Sequence, residues 1–169
     1  MNSIKSQKIE KFLEELSSSS PTPGGGAVAA LSGAMAASLA AMVANLTLGK
    51  KGYETVQKEV KKIKSEALRY QKELLKLADL DVAAFDAVMA AYKSKSKARI
   101  RKSLKKATDI PSRVVLLAKK VEKLAGRLAR IGNKNAASDA KSAEALAQAA
   151  QKAADENIKI NVRTLAGLK

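Results

Sequence analysis

No charged residue lies between Glu15 and Lys50, although 32 Lys and Arg and 16 Asp and Glu are spread over the rest of the 169-residue chain. A charge-free stretch of that length must leave water, so the remaining segments have to cover it. Its helical part, Ala27 to Leu48, is about long enough to cross a bilayer. It is mostly alanine, however, with Ser32, Ser38, Asn45 and Thr47 inside it, and alanine is only weakly favourable for insertion. It therefore reads as the buried central helix of a bundle, not as a membrane span. Gly33, Ala37 and Ala41 form a row of small residues along it, where another helix can approach closely.

The flanking segments are patterned to pack around that helix. Ser3 is placed to cap a first helix whose stripe is Ile9, Phe12, Leu13 and Leu16. A long helix is expected from about Tyr53 to Tyr92. Its seam, Val56, Val60, Ile63, Ala67, Tyr70, Leu74 and Leu77, alternates steps of four and three. Lys93 to Lys106 reads as a basic loop leading into a short helix, and Pro111 as the start or kink of the next. That helix carries the face Val114, Leu117, Val121, Leu124, Leu128 and Ile131 and stops at Gly132-Asn133. Asn135 or Ser138 can cap a last alanine-rich helix ending around Leu165. The expected architecture is all-α: one domain, 1–169, a bundle of about six helices around the buried alanine-rich one.

Composition removes several kinds of chemistry. There is no cysteine, hence no disulfide, thiolate ligand or thiol nucleophile, and no histidine. Acid–base work near neutral pH must then fall to a perturbed carboxylate, a lysine, a tyrosine or a bound water. A zinc site would have only oxygen ligands, so no metal site is expected. The formal charge of +16 attracts polyanions, whether nucleic acid, an acidic membrane surface or a polycarboxylate ligand. It also fits the lysine-rich surfaces of proteins from hot environments. The run Lys93, Lys95, Lys97, Arg99, Arg101, Lys102, Lys105 and Lys106 could grip phosphates without sequence specificity. With 3% aromatic residues and no helix-turn-helix or RNA-binding motif, the run reads as a solvated face. Met1 to Leu16 is amphipathic and lacks the apolar core of a secretory leader, which gives the expectation of a cytoplasmic protein.

Two places break the local rules. In the rhythm of the long helix, Asp81 falls where an apolar residue is due, followed by Ala84 and Val88. A carboxylate there is costly unless paired or protonated, and desolvation raises its pKa into the range useful for proton transfer. A buried aspartate satisfied by a helix end, a lysine or its counterpart across a dimer is the plainer alternative. The other place is Ser17-Ser18-Ser19-Ser20-Pro21-Thr22-Pro23-Gly24-Gly25-Gly26 at the mouth of the charge-free helix. Its prolines fix φ, its glycines let backbone N–H groups come close to a ligand, and the helix N-terminus behind it favours a carboxylate or polarised oxygen. Ser20 and Thr22 add hydroxyls. The same glycines would also serve a tight, proline-braced entry to a buried helix. Lys50 could supply a proton or pair with a negative ligand, or be one surface lysine among many. Asp139 reads as a first-turn or capping residue. Asn133 and Asn161 can donate and accept at once, or simply cap and pack.

The serine–proline–glycine segment leads into Ala29-Ala30-Leu31 and then Met42-Val43-Ala44-Asn45-Leu46-Thr47-Leu48-Gly49-Lys50-Lys51. This stretch resembles the hallmark of the formimidoyltetrahydrofolate cyclodeaminase and methenyltetrahydrofolate cyclohydrolase family. Asp81-Val82-Ala83-Ala84-Phe85, Ala107-Thr108-Asp109-Ile110-Pro111, and Gly132-Asn133 with Ser138-Asp139, Asn157 and Asn161 are similar to its later elements, in order. The resemblance implies an all-α homodimer acting on the carbon between N5 and N10 of a reduced folate, by cyclodeamination or by hydrolysis, without metal or redox cofactor. It implies a site near the glycine loop and the subunit interface, with Ser20, Thr22, Pro23, Gly24, Gly25, Gly26, Asn133 and Asn161 as binding candidates. Asp81, Asp139 and Lys50 are the candidates for proton transfer. The basic run would then have a third reading, attraction of the glutamate tail of folate. The competing readings are a basic helical nucleic-acid-binding protein and a family member without turnover.

Overall fold

The structure is a computed structural model that describes residues 3–168. Residues 1, 2 and 169 of the expected domain lie outside the described residues. Among the described residues there are five α-helices, three short 3-10 turns and no strand: α1 (Ile9–Leu16), α2 (Gly25–Thr47), α3 (Gln57–Lys93), α4 (Lys97–Ile131) and α5 (Ala137–Gly167). The all-α expectation holds, with five helices where about six were expected.

The four long helices form an up-and-down bundle. Each packs on its neighbour in sequence, α5 closes the ring against α2, and α2 also touches α4 across it. The antiparallel sense of α2 and α3 is visible in their cross-links. Gln57 Nε2 donates to the carbonyl of Thr47 at 3.2 Å, and Gln71 Nε2 donates to Ser38 Oγ at 2.8 Å. Alanine is the packing currency of α2, where Ala29, Ala30, Ala36, Ala37, Ala40 and Ala44 are fully buried. A side chain on Gly33 would sit 3.1 Å from Leu74 and 3.6 Å from Ala150, so α3 and α5 both close on that position. The facing ridge of α5 is also alanine, with Ala140, Ala143, Ala147, Ala150 and Ala154 buried at steps of three and four. Leu74, Leu77, Val114, Val121 and Leu128 supply the bulk from α3 and α4, each contributing about 1.5–3 kcal/mol on burial. Although α2 is long and apolar enough to cross a membrane, 61% of its most apolar window is buried in the bundle.

Four expectations need correction. The basic run does not form a loop and a short helix. Ser94–Ser96 makes a tight turn with Lys95 at φ 56°, and α4 starts at Lys97 with Ser96 Oγ accepting from the Arg99 N–H. Pro111 does not start a helix but lies inside α4. A proline at that position leaves the carbonyl four residues earlier, on Ala107, without its N–H. Asn161 Nδ2 on α5 donates to that carbonyl at 3.3 Å, which lets α4 continue. Neither Asn135 nor Ser138 caps α5, whose N-cap is Ala136; Asn133 caps the preceding 3-10 turn through the Asn135 N–H. Ser3 precedes a 3-10 turn rather than α1, and its hydroxyl donates to Asp79 at 2.6 Å while the Ile4 N–H donates to the same carboxylate.

Two apolar faces remain uncovered. Helix α1 has no buried residue, and Ile9 and Leu13 of its stripe stand in solvent. On α2, Met35, Met42 and Leu46 are exposed, with Val28 and Leu39 half-buried on the same face. The central helix is therefore enclosed on three sides and open on the fourth.

Candidate active site

Unequal helix lengths create the cleft. Helix α2 has 23 residues, whereas α3, α4 and α5 have 37, 35 and 31. Three helices thus run on past the N-terminus of α2, by about 15 Å for a ten-residue difference. The fourth corner of the bundle is left empty there. The resulting cleft has a volume of about 370 Å³ and is lined by Pro21, Thr22 and Gly24–Gly26, by Asp81, Phe85, Met89 and Tyr92 of α3, and by Asn157, Ile160, Asn161 and Thr164 of α5. The axis of α2, positive at this end, points into it.

Asp81 is the only charged side chain lining the cleft among the described residues, in a chain of formal charge +16. It lies at the level of the first turn of α2, where the Ala27 N–H donates to its carboxylate. Burial pushes its carboxyl above the ordinary aspartate range, against a smaller downward pull from that N–H. Gly26 makes the arrangement possible, since a side chain there would collide with both carboxylate oxygens and the carbon between them. At Gly25 the nearest atom to an added side chain is Asn157 Nδ2, at an ordinary 3.6 Å. The fold thus needs the bareness of Gly26, while the space beside Gly25 belongs to the cleft. The first N–H groups of α2, on Gly25 and Gly26, have no acceptor within the helix, and Gly24 provides no side-chain cap.

The wall contributed by α5 is polar in a particular sense. Asn157 Nδ2 donates to the Ala153 carbonyl at 2.9 Å, and Asn161 Nδ2 to the Ala107 carbonyl at 3.3 Å. Both amides thereby commit a donor to the protein, and their carbonyl oxygens remain as acceptors. Together with Thr164 they recur at steps of four and three on one helix face. That polar stripe at helical spacing was the available signal for Asn157 and Thr164, which sequence reasoning did not single out as site residues.

The sequence candidates divide into two groups. Asp81, Thr22, Gly24, Gly25, Gly26 and Asn161 come together in the cleft. Pro23 is buried beneath it after a cis Thr22–Pro23 peptide. Ser20 turns away: its hydroxyl donates to the Thr22 carbonyl at 2.7 Å and borders a neighbouring cavity of about 460 Å³ with Pro23, Lys11 and Glu15. Lys50, Asn133 and Asp139 lie at the other end of α2, about 33 Å away over its 23 residues. There Lys50 Nζ donates to Asn133 Oδ1 at 3.1 Å, Asn133 Nδ2 donates to the Leu46 carbonyl, and the Asn133 N–H donates to Thr47 Oγ1. A side chain on Gly132 would stand 2.6 Å from the Leu128 carbonyl, so glycine is required at this crossing of two turns. Asp139 sits in the first turn of α5. None of the basic residues of the Lys93–Lys106 run lines the cleft.

Comparison with known proteins places the chain by fold and family. A crystal structure of formiminotetrahydrofolate cyclodeaminase from Thermotoga maritima is similar, with 38% identity and a TM-score of 0.93 over 97% of this chain and 82% of that one. No curated protein matches the chain. Residues 8–167, nearly all of the chain, match the family described as formiminotransferase-cyclodeaminase. The chain belongs to that family.

Proposed function

We propose that the protein is a cytoplasmic one-carbon enzyme that closes the N5-formimino group of a reduced folate onto N10 and releases ammonia. The observation that carries this reading is the desolvated Asp81 carboxyl, set at the N-terminus of α2 as the only charge lining the cleft among the described residues. The reaction needs a proton carrier. N10 attacks the formimino carbon, a C–N10 bond forms, and the proton on N10 must leave while the imino nitrogen gains one. The tetrahedral carbon then expels that nitrogen as ammonia after a further protonation, leaving the methenyl bridge. Asp81 suits both roles, because burial pushes its carboxyl upward from the ordinary aspartate value and so makes the protonated form easier to reach than in an exposed aspartate. The Gly25 and Gly26 N–H groups and the acceptors of Asn157 and Asn161 suit a ring that offers carbonyl and N–H edges.

Lys50, Asn133 and Asp139 enter this scheme through a second copy. The open stripe of α2 carries no charge in a strongly basic chain, and a surface that meets its own copy has to exclude like charge. An antiparallel α2–α2 contact centred on Met35 and Leu39 would set the Lys50 corner of one copy opposite the glycine loop of the other. The protein then acts as a homodimer with sites built from both subunits.

Turnover tests the reading. Incubation with 5-formimidoyltetrahydrofolate should produce near-ultraviolet absorbance of the methenyl compound with equal release of ammonia. Loss of that absorbance from added methenyltetrahydrofolate, without ammonia formation from the formimino compound, would identify hydrolysis instead. No change above buffer in either assay would refute an active enzyme.

A further inference from the structure

We infer that Met89 and Tyr92 of α3 and Ile160 of α5 seat the aryl tail of the folate, and that this seat decides which end of the ligand lies over Asp81. The inference rests on the folate reading above. The cleft is divided along its length. Hydrogen-bonding groups crowd the end at the α2 N-terminus, around Gly25, Gly26, Asp81 and Asn157. Toward the far end the α3 wall is apolar: Met89 and Tyr92, with Ile160 of α5 beside Asn161 and Thr164, stand 45%, 40% and 62% exposed while lining the same cleft. Single exposed apolar side chains are ordinary, but several converging in one concavity mark a surface that something apolar covers.

The spacing suits a ligand with two unlike ends. Met89 and Tyr92 follow Asp81 by eight and eleven residues, about 12 and 16 Å along α3. Long helical side chains lean back toward the helix N-terminus, so the apolar wall begins about one turn nearer to Asp81 than these figures imply. A reduced folate has a bicyclic ring edged with N–H and carbonyl groups, and its N10 carries an aryl ring directly. With the bicyclic ring over the α2 N-terminus, N5 and N10 come near Asp81, and the aryl ring is the part left to meet Met89 and Ile160. The reverse orientation would press polar ring edges against apolar side chains and leave their hydrogen-bonding groups unpaired. It would also carry the reacting nitrogens away from the carboxyl.

Equilibrium titration of the full chain with two probes tests this. Tetrahydrofolate has the aryl tail; 6-methyltetrahydropterin keeps the bicyclic ring and lacks it. Wild type should bind tetrahydrofolate more tightly. Met89→Ser and Ile160→Ser should each weaken tetrahydrofolate about tenfold while leaving 6-methyltetrahydropterin unchanged within about twofold. Under turnover the same variants should raise KM with kcat unchanged, as expected for a contact made equally before and during the reaction. Tyr92→Ala should behave like them, and Tyr92→Phe like wild type. The positions are exposed, so melting temperatures should hold. Equal loss of both probes, loss of neither, or equal wild-type affinity for the two would overturn the aryl seat and leave the folate reading standing. Failure of wild type to bind either probe would overturn both.

Discussion

The carboxylate of Asp81 occupies the space that a side chain on Gly26 would need. Two residues 55 positions apart therefore define one feature, an acid pressed against the bare first turn of a helix. Gly26→Ala should displace Asp81 and lower kcat/KM by about a hundredfold, the usual consequence of misplacing a reacting group by about an ångström. Gly25→Ala meets nothing closer than 3.6 Å in the protein, so its melting temperature should match wild type while ligand affinity falls. Paired melting and steady-state measurements on the two variants check this; equal effects of both would contradict it.

Asp81→Asn should reduce kcat by about a hundredfold or more without reducing stability at pH 7. The folded pKa of Asp81 lies above its ordinary 3.8. The folded state thus binds more protons than the unfolded one between those two values, and this group makes stability fall as pH rises. Its contribution is fully present below about 3.8 and is lost as pH rises through the raised value. The always-neutral asparagine avoids that loss. The variant should melt at or above the wild-type temperature at pH 7, with the gap closing as pH falls toward 4. Melting curves across this range decide it, and a variant clearly less stable at pH 7 would show a structural carboxylate.

A lysine on the open stripe of α2 should break the proposed dimer. Met35→Lys brings two like charges close together near the two-fold and Met42→Lys buries an unpaired charge in the apolar contact, and light scattering should report half the wild-type mass with activity lost. Asp81→Asn and Lys50→Ala, each inactive alone, should regain activity when mixed and allowed to exchange subunits. The absence of any recovery would place Lys50 outside the partner's site.

Asn161 and Pro111 should be coupled in stability. Asn161→Ala leaves the Ala107 carbonyl without its donor, which costs about 1–3 kcal/mol. In a Pro111→Ala background the restored backbone N–H can serve that carbonyl, so the same change should cost less. A double-mutant cycle from denaturant unfolding measures the difference, and additive losses would contradict the pairing.

These relationships show what the sequence could disclose. The seam of α3 already marked Asp81 as out of place, because helical periodicity is a local property. The glycines announced a close approach, but the approaching group sits on another helix, and nothing near Gly26 names it. Pro111 suggests a helix start or a kink for the same reason: the donor that lets α4 pass through it, Asn161, comes from α5. Lys50 directly follows the C-terminus of α2 and Asp139 lies in the first turn of α5 beside it, so a whole helix length separates both from the glycine loop. The cleft itself was invisible, since it exists because α2 is shorter than its three neighbours.

The central claim is that a reduced folate reacts over the N-terminus of α2 with Asp81 as proton carrier. A crystal structure of the protein with bound tetrahydrofolate tests it most directly. N5 or N10 should lie within hydrogen-bond reach of the Asp81 carboxyl, directly or through one water, with the bicyclic ring against Gly25 and Gly26. A bicyclic ring bound away from that carboxyl would contradict the account.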